Sequence, residues 1–336
     1  MRAIRNPVLV GLTVLLAAGC QPQGEVSEAA SQASVQAPAS ARLNAMIELH
    51  EEGAPVFGLY APRPAPFRGR DAPAPDPSEL RSPAEIAGEI LAFQGSDYVF
   101  HSDMEEGVDR ALPGFRELVS AMHAQGATAR THPFVVKMEK ISEDPRATEH
   151  VGQQLAAGVS SVMFVEVESA EELQVGLDAM RFRSRGGTRE EGDLGMAPAY
   201  WELSETEYRE RADLWPLNPE GELIAWVIIE SREGLANLRE IAAVPGIGVL
   251  WPGAGTLRGV FTSTAPDGTR VFDEAGWEGA IQDVLAACRE FNLRCGFPAS
   301  PESIESRMAQ GFEVFVMNWG EAGFRTLEMG RAVARR

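Results

Sequence analysis

Residues 223–260 read LIAWVIIESREGLANLREIAAVPGIGVLWPGAGTLRGV, and this stretch decides the fold. Residues 223–229 form a nearly unbroken apolar run of strand length that ends on a lone acid, Glu230. A helix is predicted over 232–244, because Leu235, Leu238, Ile241 and Ala242 recur at the three-to-four spacing that buries one face. Pro245-Gly246 stops it, and 247–251 is a second short apolar run. Strand, helix and strand within about 30 residues predict a parallel βαβ unit. Glu230 then stands where the first strand runs out, which in barrels of such units is the end that carries chemistry.

Working outward, the same alternation covers the chain. Strands are predicted at 56–60, 97–101, 134–138, 161–167, 223–229, 248–251, 293–297 and 313–318. Helices are predicted at 83–93, 112–125, 145–157, 170–182, 232–244, 274–291, 301–310 and 323–334, several opened by caps such as Asp144-Pro145 and Ser300-Pro301. Eight strand–helix pairs imply a (β/α)8 barrel, which needs about 250 residues, within the 336 present. The alternative, a doubly wound open sheet, lacks the GxGxxG that would follow its first strand. Residues 62–83 are proline-rich and read as a long loop. Residues 183–222, between the fourth helix and the fifth strand, are too long for a simple connection. They contain the capping box Ser204-Glu205-Thr206-Glu207 and are expected to pack over or beside the barrel, shaping an entrance or a subunit contact.

The first 42 residues belong to a different regime. Arg2 and Arg5 precede an apolar segment too short to span a bilayer permanently, and it ends in Leu16-Ala17-Ala18-Gly19-Cys20. That ending resembles a bacterial lipobox, so 1–19 is expected to be a signal peptide and Cys20 the lipidated new N-terminus. Gln21 in place of an acid favours the outer membrane, facing the periplasm. Residues 20–42, rich in Ser, Ala, Gln and Pro, read as a tether, leaving 43–336 for the barrel. The net charge of −19, which loss of Arg2 and Arg5 takes to −21, disfavours nucleic acid and anionic lipid as partners. Membrane attachment is therefore expected through the lipid alone. With Cys20 lipidated, Cys288 and Cys295 remain; they are expected to be separate buried thiols, not a bridge, and no Cys/His cluster suggests zinc.

The run IIESREGLANLREIAAVPGIGVLWPG resembles the HpcH/HpaI-type 2-oxo-acid aldolases and the citrate lyase β-subunits. So does PFVVKMEKISEDPRATEHVGQQLAAGVSSVMFVEVESAEEL, residues 133–173, which is similar to the family's third and fourth βα units. The resemblance implies a metal-assisted carbon–carbon lyase, in which a glutamate and an aspartate hold the metal, an arginine steadies the enolate and a histidine handles protons. Glu230 matches the metal-binding glutamate. Read from the residues alone, a buried carboxylate there must be metal-bound, paired with an arginine or protonated. Thr256 stands where the aspartate belongs, and a neutral hydroxyl brings no charge to a divalent cation.

In DYVFHSDMEEGV, residues 97–108, Glu106 occupies the histidine's place, with Asp103 and Glu105 as further acids of the same loop. Lys137 replaces the arginine; it keeps the charge and loses the planar two-pronged contact. Two functions from different classes follow. One is a lyase acting on a small 2-oxo acid or its aldol adduct, with Glu230 on Mg2+, Mn2+ or Co2+, Glu106 handling protons and Lys137 on the substrate's carboxylate or enolate oxygen. The other is a catalytically degenerate envelope protein that binds a small acid or serves a structural role. The resemblance also implies a homo-oligomer assembled through the C-terminal helix.

Overall fold

The computed structural model describes residues 42–65 and 76–335. The segment read as a signal peptide, Cys20, the expected tether up to residue 41 and the centre of the proline-rich loop lie outside the described residues. Eight parallel strands close on themselves: β1 Val56–Tyr60, β2 Tyr98–His101, β3 Phe134–Lys137, β4 Ser161–Phe164, β5 Leu223–Ile229, β6 Ile247–Pro252, β7 Arg294–Pro298 and β8 Val314–Met317. Each pairs with its neighbour in sequence, β4 joins β5, and β1 closes on β8 through Val56↔Val314 to Leu59↔Met317. This is the (β/α)8 barrel expected from the alternation.

Two hydrophobic clusters follow from the strand period of two. Phe57, Leu59, Val99 and Val136 face the surrounding helices, whereas Tyr98, Phe100, Val135, Trp226, Ile228 and Trp251 fill the interior. The interior accepts such large rings because glycines stand opposite them. A Cβ on Gly58 would lie 2.1 Å from the Tyr98 ring, and one on Gly296 would lie 1.9 Å from Trp251. Tyr98 also donates its hydroxyl proton to the Phe315 carbonyl at 2.8 Å, so its buried polar end is satisfied.

The bottom of the barrel, where the strands begin, is plugged. Helix Ala45–Glu51, capped by Asn44, inserts Met46 and Ile47 into the interior cluster. The insertion lies at this same end. Its edge strand Leu214–Trp215 pairs with the first residues of β5, Trp215 stacks on His50, and Tyr200 and Trp201 donate to the carbonyls of His132 and Gly158, just before β3 and β4. The buried Glu222 binds the Asn44 N–H and the guanidinium of Arg211. The expectation that this segment shapes an entrance is thus corrected, because its backbone leads into the start of β5 and is held at the end opposite Glu230. Its capping box at Ser204 forms as read, opening helix Glu205–Arg211.

Other departures are local. The predicted helix 232–244 breaks at Asn237 into Arg232–Ala236 and Leu238–Ala242. The second barrel helix starts at Val108, ahead of Pro113, rather than at 112. After β6 the chain adds a helix, Ala254–Val260, and an antiparallel hairpin pairing Thr262–Thr264 with Arg270–Phe272. The C-terminal helix Glu321–Ala334 packs on β1 and β8 of its own barrel, burying Gly323, Thr326, Leu327 and Gly330.

Cys288 and Cys295 are bridged, which corrects the expectation of two separate thiols. Helix Glu274–Glu290 ends, Asn292 turns the chain in the left-handed region at φ 55°, and β7 brings Cys295 back to a Cα–Cα distance of 5.7 Å from Cys288. Closing a loop with a separation of 7 residues restricts the unfolded chain by about 2–3 kcal/mol. Urea unfolding with and without reductant, and of the Cys288→Ser/Cys295→Ser variant, should show a loss of about that size; an unchanged midpoint would remove the bridge from the stabilising contacts.

Candidate active site

The interior face of β5 carries Trp226, Ile228 and then, one step past the strand, Glu230. The same alternation on β1 and β3 delivers Tyr60 and Lys137 to the same end. These three and Thr256, on helix Ala254–Val260, line a cavity of about 200 Å3 with an apolar floor that includes Phe100, Ile228 and Trp251. Glu230 is only 6% exposed. Its Oε1 accepts from the Glu166 N–H at 3.1 Å, and Thr256 lines the same cavity beside it. Glu166 adopts φ 47° to aim that N–H, a left-handed conformation that costs a non-glycine residue energy and clusters at functional sites. Gly253 crosses close above, where a Cβ would fall 2.5 Å from Glu230 Oε2.

Charge is distributed unevenly across this cavity. Burial raises the Glu230 pKa above the ordinary carboxylate value, and the Thr256 hydroxyl, the Lys137 charge and the Glu166 N–H offset only part of that. Burial acts on Lys137 in the opposite sense. There the charges of Glu105 and Glu230 outweigh it, and the ammonium is held above the usual lysine pKa. Lys137 Nζ donates to both Glu105 oxygens, at 2.9 and 3.0 Å. Burial likewise raises the Tyr60 hydroxyl, which therefore stays protonated at neutral pH.

The expected residues are thus partly brought together. Glu230, Lys137 and Thr256 share the cavity, but Glu106 does not face it. Its side chain is 78% exposed and pairs with Arg110, one helical turn on. The one-turn 3-10 helix Asp103–Glu106 presents Glu105 to Lys137 instead. Asp103 lies 3.9 Å from His101, whose ring packs on Phe115 on the helix side of the sheet. Tyr60 and Gly253 escaped the sequence reading. The available signals were an aromatic at an odd step of an inward-facing strand and a glycine two residues after an apolar run.

Linkage gives a first test. A carboxyl group whose folded pKa lies above its unfolded one favours the folded state at low pH, and that advantage is lost as pH rises from about the ordinary value of 4.5 through the raised value. Urea unfolding at pH 4 and pH 7 should therefore show Glu230→Gln gaining stability relative to the native chain at the higher pH. A difference independent of pH would mean that the carboxyl group is not perturbed by its burial.

Comparison with known proteins gives the cavity a context. The family model described as HpcH/HpaI aldolase/citrate lyase matches residues 81–318. The 2-dehydro-3,6-dideoxy-6-sulfogluconate aldolase of Pseudomonas putida is 27% identical over 248 residues, which are 71% of this chain and 84% of that protein. Among solved structures, an HpcH/HpaI aldolase/citrate lyase family protein from Burkholderia cenocepacia J2315 superposes with a TM-score of 0.61 at 18% identity, covering 87% of this chain and 98% of its own. An HpcH/HpaI aldolase from Desulfitobacterium hafniense DCB-2 gives 0.59 at 16% identity, covering 86% and 95%. With a family match over most of the barrel and the same closed strand order in space, the chain belongs to the HpcH/HpaI aldolase/citrate lyase family.

Proposed function

We propose that the protein is a carbon–carbon lyase that cleaves or forms the aldol bond of a small 2-oxo acid in the cavity between Tyr60, Lys137 and Glu230. The observation that carries this reading is an ammonium group and a buried carboxyl of raised pKa facing one enclosed space at the strand ends. At about 200 Å3 the cavity falls below the roughly 300–1,000 Å3 of drug-sized sites, which suits a small acid. A curated relative named as an aldolase on a 2-dehydro-3,6-dideoxy sugar acid supports the same class of substrate.

The divalent metal that the resemblance implies at Glu230 fits this cavity poorly. Among the described residues Glu230 is the one carboxylate lining it, and that carboxylate already accepts from Glu166. Glu105 is engaged through both oxygens by Lys137, and the ammonium already supplies the positive charge beside Glu230. We therefore derive the chemistry from the side chains. In a 4-hydroxy-2-oxo acid, removal of the hydroxyl proton lets the C3–C4 electron pair pass to the C2 carbonyl oxygen, releasing an aldehyde. Lys137 stands to hold the resulting enolate oxygen and the adjacent carboxylate. Glu230, whose pKa burial raises above the ordinary carboxylate value, is suited to take the hydroxyl proton and return one to C3. Glu105 orients Lys137, taking the loop position for which the sequence suggested Glu106.

Pyruvate release from 4-hydroxy-2-oxo acids tests this reading. Lys137→Met and Glu230→Gln should each lower the rate by about 100-fold or more, as loss of a charge-stabilising group does. Glu106→Gln should stay within about twofold. Full activity in Lys137→Met would sink the proposal. The replacement of the family's aspartate by Thr256 favours one alternative, a binding protein for small acids. It predicts Lys137-dependent pyruvate binding by calorimetry with no turnover.

We also propose attachment to the cell envelope through lipid on Cys20. The Cys288–Cys295 bridge supports an oxidising compartment, since cytosolic thiols are mostly kept reduced. Cys20→Ala should shift the protein from the membrane fraction to the soluble one, and mass spectrometry of the native N-terminus should find an acylated cysteine. A membrane-bound Cys20→Ala variant would contradict this.

A further inference from the structure

Beyond Lys137 the chain leaves the barrel through Glu139, turns at Ile141–Glu143 and reaches helix Ala147–Ala156 by way of Asp144. Glu139, Asp144 and His150 there gather one potential ligand atom each, all within 4.8 Å of one another. Asp144 and His150 are almost fully buried, with side chains 3% and 5% exposed, while Glu139 is 31% exposed. None of the three lines the cavity that holds Glu230.

The hydrogen bonding around these groups has the pattern of a prepared ligand set. Glu139 commits Oε1 to the Val108 N–H at 3.0 Å, and Asp144 commits Oδ1 to the Arg146 N–H at 2.9 Å. Each carboxylate thereby turns its other oxygen to the imidazole. His150 Nδ1 is hydrogen-bonded to Asp144 Oδ2 at 2.7 Å and lies 3.9 Å from Glu139 Oε2. An ion would take the place of the proton in that hydrogen bond, with the two atoms opening to the edge of about 3.3 Å expected between ligands of a tetrahedral ion with bonds of about 2.0–2.1 Å.

A second observation comes from the other side of the ring. His150 Nε2 is sealed from solvent and makes no hydrogen bond among the described residues, although Asp109 Oδ1 lies 3.4 Å away. In metal-bound histidines the second nitrogen commonly faces a carboxylate that fixes the tautomer, and this is the position Asp109 holds. Three carboxylates therefore surround one ring. The arginine in contact, Arg146, is divided between Asp109 and Glu149.

We infer that Glu139, Asp144 and His150 form a site for a divalent transition-metal ion, of the Zn2+, Co2+ or Mn2+ kind, outside the barrel cavity. One imidazole nitrogen with two carboxylates suits such ions better than the all-oxygen sets preferred by Ca2+ and Mg2+. The half-exposed Glu139 side leaves room for water as a remaining ligand. The location gives the ion a task. Glu139 holds the first N–H of helix Val108–Ala124, directly after the turn that carries Glu105, and lies two residues beyond Lys137. An ion here ties the root of the Glu105 turn to the exit of β3.

Titration of the chelator-treated, full-length protein with CoCl2 tests the site through visible d–d absorption and thermal unfolding. The native chain and Glu230→Gln should each bind one Co2+ per chain, with unfolding shifted to higher temperature. Glu139→Gln and His150→Gln should weaken binding by at least about 10-fold. Because His150 is buried, Glu139→Gln is the decisive variant: it lies partly in solvent, and its fold can be checked by circular dichroism. Binding that is lost in Glu230→Gln, that persists unchanged in Glu139→Gln, or that is absent from the native chain would each overturn the assignment. The pyruvate assay reads the Lys137 and Glu230 chemistry separately, so failure of one proposal is distinguishable from failure of the other.

Discussion

A strand offers its side chains only two directions, and in a closed barrel one of them is a crowded interior. That constraint governs this molecule. Trp226 and Ile228 must point inwards to fill the space between Tyr98, Phe100 and Trp251, and the next residue of the same phase is Glu230. The carboxylate is thus carried inside by the packing below it. A one-residue slip of β5 would send the acid to the helices and the tryptophan with it, so barrel stability and the placement of the site are enforced by the same contacts.

The cavity built on that constraint is electrostatically tense. Glu230 is pushed towards its neutral form by burial while Lys137 is drawn towards its charged form by Glu105 and Glu230. Both effects need the low-polarity floor beneath them, since the same groups in water would differ little from free side chains. The insertion contributes nothing at this end. By clamping the starts of β3, β4 and β5 it stiffens the opposite end.

Much of this was legible in the amino-acid sequence, for a definite reason. The apolar run of β5 ends at an acid and that of β1 lies between Pro55 and Ala61-Pro62, so their bounds, 56–60 and 223–229, can be read directly. Glu230 was found because a single acid closes such a run. Where neighbours of like type compete, pattern is silent. Glu105 and Glu106 are adjacent acids on one turn of 3-10 helix, and which of them faces Lys137 depends on how Gly107 and Val108 are held by Glu139. The cysteine bridge was missed for a related reason: it requires the left-handed turn at Asn292, and seven residues of separation alone do not reveal that turn. Helix 232–244 kept its buried face but lost its continuity at Asn237, whose side chain donates to the Glu168 carbonyl.

The nearness of Thr256 to Glu230 reaches further than the size of the residue suggests. With a hydroxyl at 256, the buried acid has a neutral companion, and Lys137 feels the charges of Glu230 and Glu105 together. A carboxylate at that position would set two like charges side by side in a poorly screened space, and they could coexist only by sharing a proton or recruiting a cation. The identity of one side chain on a short helix therefore sets how many negative charges this mouth must offset.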